Sequence, residues 1–217
     1  PTYYDIEEFE FLRSFTCGFL TTCGLATIGT PSTDGGEKFP LHGGISNTPA
    51  EHVYYCYGKD EISVHATVRD AAIFRSKLTL ERIISCRTDS NKLRITDTIR
   101  NEGSEKIPVM LLYHVNIGYP LLDENAELYI PSNEVEPRDA RAKEGIAEWS
   151  RIIKPQAGFV EQCYYHKFKD KNGVAMIFNK KANKGLSIKF DTRQFGSFVQ
   201  WKMMGERDYV LGLEPCT

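Results

Sequence analysis

The sequence predicts an all-β fold built as a sandwich or barrel, and three observations carry that expectation. Short runs rich in β-branched and aromatic residues recur along the chain. Turn residues separate them at intervals of roughly eight to twelve positions, and only one segment carries a helical period. Residues 30–38, full of Pro, Ser, Asp and Gly, read as a loop. Strands are expected at 53–57, 62–68, 77–86, 92–99 and 109–115, where apolar and polar residues often alternate. Thr88-Asp89-Ser90-Asn91 is a polar turn cluster, so the third and fourth of these form a hairpin. Residues 138–150 follow Pro137 and place Ala140, Ile146 and Trp149 at helical spacing. Asn172-Gly173 separates strand-like 162–169 from 174–178 and predicts a second hairpin. Runs at 186–190, 198–203 and 209–213 complete the series.

Length and composition narrow the function classes. At 217 residues the chain can bury a core, and residues 1–217 read as one domain. A net charge of -2 offers no basic excess to neutralise a phosphate backbone, so nucleic acid is not an expected partner. No apolar run approaches the ~20 residues of a membrane span, and no signal peptide opens the sequence. Cys17, Cys23, Cys56, Cys86, Cys163 and Cys216 show no CxxC spacing and sit in apolar runs. They read as reduced, cytoplasmic thiols rather than a disulfide framework or a zinc site. The chain opens at Pro1 without a methionine and stops at Thr217, and is expected to be a piece of a longer protein.

Several residues have chemistry that packing alone does not demand. In Leu41-His42-Gly43-Gly44, two glycines after a histidine permit close backbone approach, so His42 either satisfies a turn or bonds a ligand lying there. His114 and Asn116 are two apart and share one face of a strand that leaves an apolar run. Their partners are either neighbouring carbonyls or a ligand. Glu214 ends the apolar strand 209–213, where partial burial would raise its pKa toward that of a base working near neutrality. Pro215 is expected to close that strand. Trp201 and Glu161 are either core and surface residues or a sugar-stacking ring and a hydroxyl-binding carboxylate. Arg13 is a charge inside an apolar stretch and should pair. His52, His65 and His166 lack comparable context and read as structural or solvated.

Together these segments resemble the aldose 1-epimerase (galactose mutarotase) superfamily, closest to its uncharacterised bacterial DUF4432-type branch. Leu41-His42-Gly43-Gly44 reproduces a histidine motif of that superfamily. The stretch from Tyr113 to Tyr119 stands where its second histidine motif falls, though it departs from that wording. Leu213-Glu214-Pro215 stands where its base glutamate closes a late strand. The resemblance implies a mutarotase-like β-sandwich, a supersandwich, here lacking terminal strands. It implies a small-molecule sugar ligand and no cofactor or metal. His114, Glu214 and His42 would be catalytic, while Arg13, Glu161, Asn116 and Trp201 would bind substrate. The implied reaction is interconversion of sugar anomers. A non-catalytic carbohydrate-binding domain and another sugar enzyme, such as a hydrolase using Glu161 with Glu214, remain alternatives.

Overall fold

The computed structural model describes residues 11–15 and 18–217; Cys17 lies outside them. The regular structure of the described residues is mostly antiparallel strand, as the periodicity predicts, and divides into two compact units. The first comprises residues 11–15 and Cys23–Leu111, the second 18–22 and Leu112–Thr217.

The first unit carries helix α1 (Phe11–Ser14), the later part of β1 (Leu20–Leu25), and the hairpin β2 (Ser32–Asp34) with β3 (Glu37–Phe39). That hairpin lies in the stretch read as loop. Gly35 and Gly36 turn it at φ of 55° and 82°, a conformation that costs glycine little. Strands β4 (Glu51–Tyr57), β5 (Glu61–Ala71), β6 (Lys77–Arg87) and β7 (Leu93–Asn101) follow as a meander in chain order. The β6–β7 hairpin turns at the expected polar cluster, with Cys86 opposite Leu93.

The second unit holds β8 (Met110–Ile117, from Leu112 on), β9 (Ala126–Tyr129), β10 (Glu134–Pro137), α2 (Ala140–Glu144), β11 (Gln162–Lys167), β12 (Asn172–Asn179), β13 (Lys184–Asp191), β14 (Ser197–Met204) and β15 (Tyr209–Cys216). One sheet runs β1-β8-β15-β14-β11-β10 and another β13-β12-β9. Val115, Ile117, Phe198, Met204, Leu211 and Leu213 of the first pack with Ala126, Ala175 and Ile177 of the second to form the core. Each large apolar side chain buried there contributes about 1.5–3 kcal/mol.

Three expectations are corrected. Asn172-Gly173 is not a turn: both residues lie in β12, opposite Asp191 and Phe190, while β11 belongs to the other sheet. Gly173 is there because the Phe190 ring lies where its Cβ would be. The helix expected over 138–150 is α2 followed by a 3-10 turn at Ile146–Glu148. Asp139 caps α2 by accepting from Ala142 N at 2.8 Å, and Gly145 ends it. Pro215 does not end β15. It pairs with Phe198, and the pairs with β8 step from Leu213–Val115 to Cys216–Leu112, so its missing N–H falls where that ladder is open.

Candidate active site

Strand alternation sets several of the second unit's polar residues on the sheet face opposite the core. Along β15, Leu211 and Leu213 enter the core, which leaves Gly212 and Glu214 on the opposite side. Along β8, Val115 and Ile117 enter the core and His114 and Asn116 take the opposite side. Gly212 pairs with Asn116, and the register continued to Cys216–Leu112 sets Glu214 against His114. Two residues 100 positions apart in sequence thereby become neighbours.

His114 Nε2 lies 3.3 Å from Glu214 Oε1, and both side chains are buried, at 6% and 3% exposure. Burial pushes the Glu214 carboxyl up to about 8; the charge of Glu161 adds to the rise and Arg138 opposes it. The carboxylate folds over Gly212, where a Cβ would overlap Glu214 Oε1 and approach Trp201 Cβ to 3.1 Å. Glycine is therefore required there by the side chain it accommodates.

Trp201 stands opposite Gly212 on one side and Cys163 on the other. Its ring meets His114 edge-on at 5.4 Å, and its Nε1 donates to Glu161 Oε2 at 2.6 Å. Arg138 Nη2 donates to the other oxygen of Glu161 at 2.8 Å. Arg138 is itself held by Asp139 Oδ2 at 3.0 Å, by Cys163 Sγ at 2.9 Å, and through its backbone N by Cys163 O at 3.0 Å. The order His114–Trp201–Glu161–Arg138 thus runs continuously beside Glu214. Cys163, pushed up to about 12 mainly by burial, stays a thiol and offers no nucleophile.

Of the residues singled out from sequence, His114, Glu214, Asn116, Trp201 and Glu161 all belong to this unit, and the first two are in direct proximity. His42 and Arg13 belong to the first unit. His42 sits in a turn at φ 62°; its N donates to Gly29 O at 2.8 Å and its O accepts from Gly24 N at 3.0 Å. A Cβ at Gly43 would overlap Gly24 O, so the loop's own backbone accounts for that glycine's close approach. Arg13 is exposed in α1. Sequence does not single out Arg138: it reads as the first residue of a helical stretch, and only its position between Pro137 and the capping Asp139 sets it apart.

The remaining histidines have other surroundings. His65 stacks on Tyr54 at 4.7 Å, and His52 lies in β4. His166 is buried in the core-facing layer, bonded to Ser132 Oγ and Gln200 Oε1, and burial holds it down to about 4. Among the described residues no group of three or more His, Cys, Asp or Glu is placed to hold a metal ion. None of their helices is long and apolar enough to cross a membrane.

A family model described as a domain of unknown function (DUF4432) matches residues 1–217. No curated protein matches the chain. Among solved structures, a crystal structure from Klebsiella pneumoniae subsp. pneumoniae MGH 78578, described as a "putative aldose 1-epimerase", matches with a TM-score of 0.91 at 27% identity. The match covers 99% of this chain and 58% of that one, so the chain spans less than two thirds of that relative's length. The expected all-β fold is the fold the two share.

Proposed function

The chain belongs to the DUF4432 family, and on that premise we propose that it binds a cyclic aldose and interconverts its anomers by acid–base ring opening. One observation carries the reading: a buried carboxylate and a buried imidazole, 3.3 Å apart, on a sheet face outside the hydrophobic core. A solved relative described in aldose 1-epimerase terms supports it from outside the chain.

In this mechanism ionised Glu214 removes the proton from the anomeric hydroxyl. The C1–O1 bond becomes a carbonyl as the ring C–O bond breaks, and protonated His114 gives its proton to the departing ring oxygen. Rotation about C1–C2 presents the other face, and the same steps in reverse close the ring. Protons lost and gained balance over the cycle, so no external acid, base or cofactor is consumed. A base with a pKa near 8 is strong enough to take a hydroxyl proton while remaining partly ionised near neutrality. Trp201 and Glu161 orient the sugar.

The hydrolase alternative asks Glu161 to donate a proton. Both its oxygens already accept hydrogen bonds, from Arg138 and Trp201, which suits an anchored acceptor better than an acid. Glu214→Gln should retain sugar binding and slow mutarotation by at least about a hundredfold. Wild-type rate should climb with pH toward 8 as Glu214 ionises, and the variant should lose that limb. Polarimetry on freshly dissolved α-D-galactose and α-D-glucose reads both effects. An unchanged rate in the variant removes Glu214 from the role, and binding without acceleration by wild type leaves a recognition domain.

A further inference from the structure

We propose that Asn116 reads the hydroxyl next to the anomeric carbon, making the site selective for aldoses that carry a hydrogen-bond donor at C2. The inference rests on the sugar-binding reading above and adds to it a class of substrate.

Asn116 is 8% exposed and stands opposite Gly212, over which the Glu214 carboxylate folds. Its Nδ2 donates to Gly18 O at 2.9 Å and to His114 O at 3.2 Å. With both N–H groups given to carbonyls, the amide cannot flip without facing oxygen to oxygen, so Oδ1 is fixed as the available atom. That oxygen is buried and accepts no hydrogen bond among the described residues. Glu214 Oε1 is likewise buried without a hydrogen-bond donor, its approach to His114 Nε2 being an ion-pair contact. Buried acceptors normally find donors, and two unfilled ones on one face ask for a ligand that supplies two.

The placement suits neighbouring hydroxyls. Paired residues on adjacent strands hold their Cβ positions about 4.5–5.5 Å apart, and a Cβ on Gly212, the partner of Asn116, would overlap Glu214 Oε1. The two acceptors thus stand side by side on one face, as O1 and O2 stand on one sugar. Glu214 takes the anomeric O1–H and Asn116 the O2–H. An acceptor at C2 without a hydrogen would face Oδ1 with no bond to offer, as would a C2 anion.

The test measures binding by ligand-observed NMR titration and mutarotation by polarimetry. Its probes are D-glucose, D-galactose and D-ribose, their 2-deoxy analogues, and the 2-deoxy-2-fluoro forms of the two hexoses. For the parent sugar that binds, the 2-deoxy and 2-fluoro analogues should each bind about ten- to a hundredfold more weakly. Asn116→Ala should narrow that gap to within about threefold. The wild-type series decides the matter even where the variant does not fold. A 2-deoxy analogue that binds as tightly as its parent overturns the inference, as does a 2-fluoro form that keeps the parent's affinity. Wild-type mutarotation with no C2 discrimination removes the role of Asn116 alone. C2 discrimination without mutarotation removes the catalytic reading alone. No binding by any probe removes both.

Discussion

Glu214 can turn back over its own strand only because residue 212 has no side chain, and that dependence can be tested without touching either proton-transfer group. Gly212→Ala puts a methyl where Oε1 lies and crowds Trp201. The carboxylate is the movable end of a flexible side chain, so it should give way rather than the sheet. Mutarotation is expected to fall about tenfold or more, since displacement by about 1 Å can cost that much, with a thermal midpoint lower by only a few degrees. A variant as active as wild type would show that the folded-back position does not matter. At this scale much of the site was legible. The two-residue step from His114 to Asn116 announced a shared face, and a glutamate after an apolar strand announced an unusual carboxylate. Arg138 was not legible. Its partners Glu161 and Cys163 lie 23 and 25 positions away, and a contact across that distance leaves no period in the sequence.

Elements were recognised where side chains alternate and misread where a residue type had two uses. Asn-Gly favours a tight turn, yet glycine also clears space for an aromatic ring on the next strand, and Phe190 over Gly173 is that second use. The helical stretch was shortened for a related reason: α2 is too brief to hold itself. Core-facing side chains of β11 and β14 hold it and the 3-10 turn that follows. Gln162 donates to Arg141 O, Gln200 Nε2 to Trp149 O at 2.9 Å, and Lys202 to Glu148 O at 3.0 Å. Because Gln200 spends its N–H on Trp149, its oxygen must accept from His166 Nε2, which fixes that ring's tautomer, with Nδ1 accepting from Ser132. Gln200→Leu would leave His166 and Trp149 O without these partners. Urea denaturation should register a loss of about 1–3 kcal/mol for each group left unsatisfied. A variant within about 0.5 kcal/mol of wild type would mean that water replaces the glutamine.

For the whole molecule, strand periodicity was enough to name the fold class, because a face that repeats every two residues survives any arrangement of the sheets. The division into two units was not readable, since β1 passes between them with no linker composition to mark it. Stability as a function of pH integrates the buried groups. His166 is held near 4 against an ordinary 6.5, so the unfolded chain binds its proton first and stability is lost as pH falls between those values. Glu214 is raised from 4.5 to about 8, so the folded state holds its proton longer and stability is lost as pH rises through that window. Thermal midpoints of Glu214→Gln and wild type should therefore draw apart in the variant's favour from pH 5 to 8; a constant difference would mean the carboxyl is not buried as described. Two buried histidines, His114 and His166, give the protein an optical signature. Each of its two tryptophans meets one imidazole edge-on, Trp201 at His114 and Trp149 at His166. A cationic imidazole quenches indole emission, and the ring beside Trp149 stays neutral until about pH 4. Above that, one fluorophore is a steady internal standard and the other reports on the proposed proton donor.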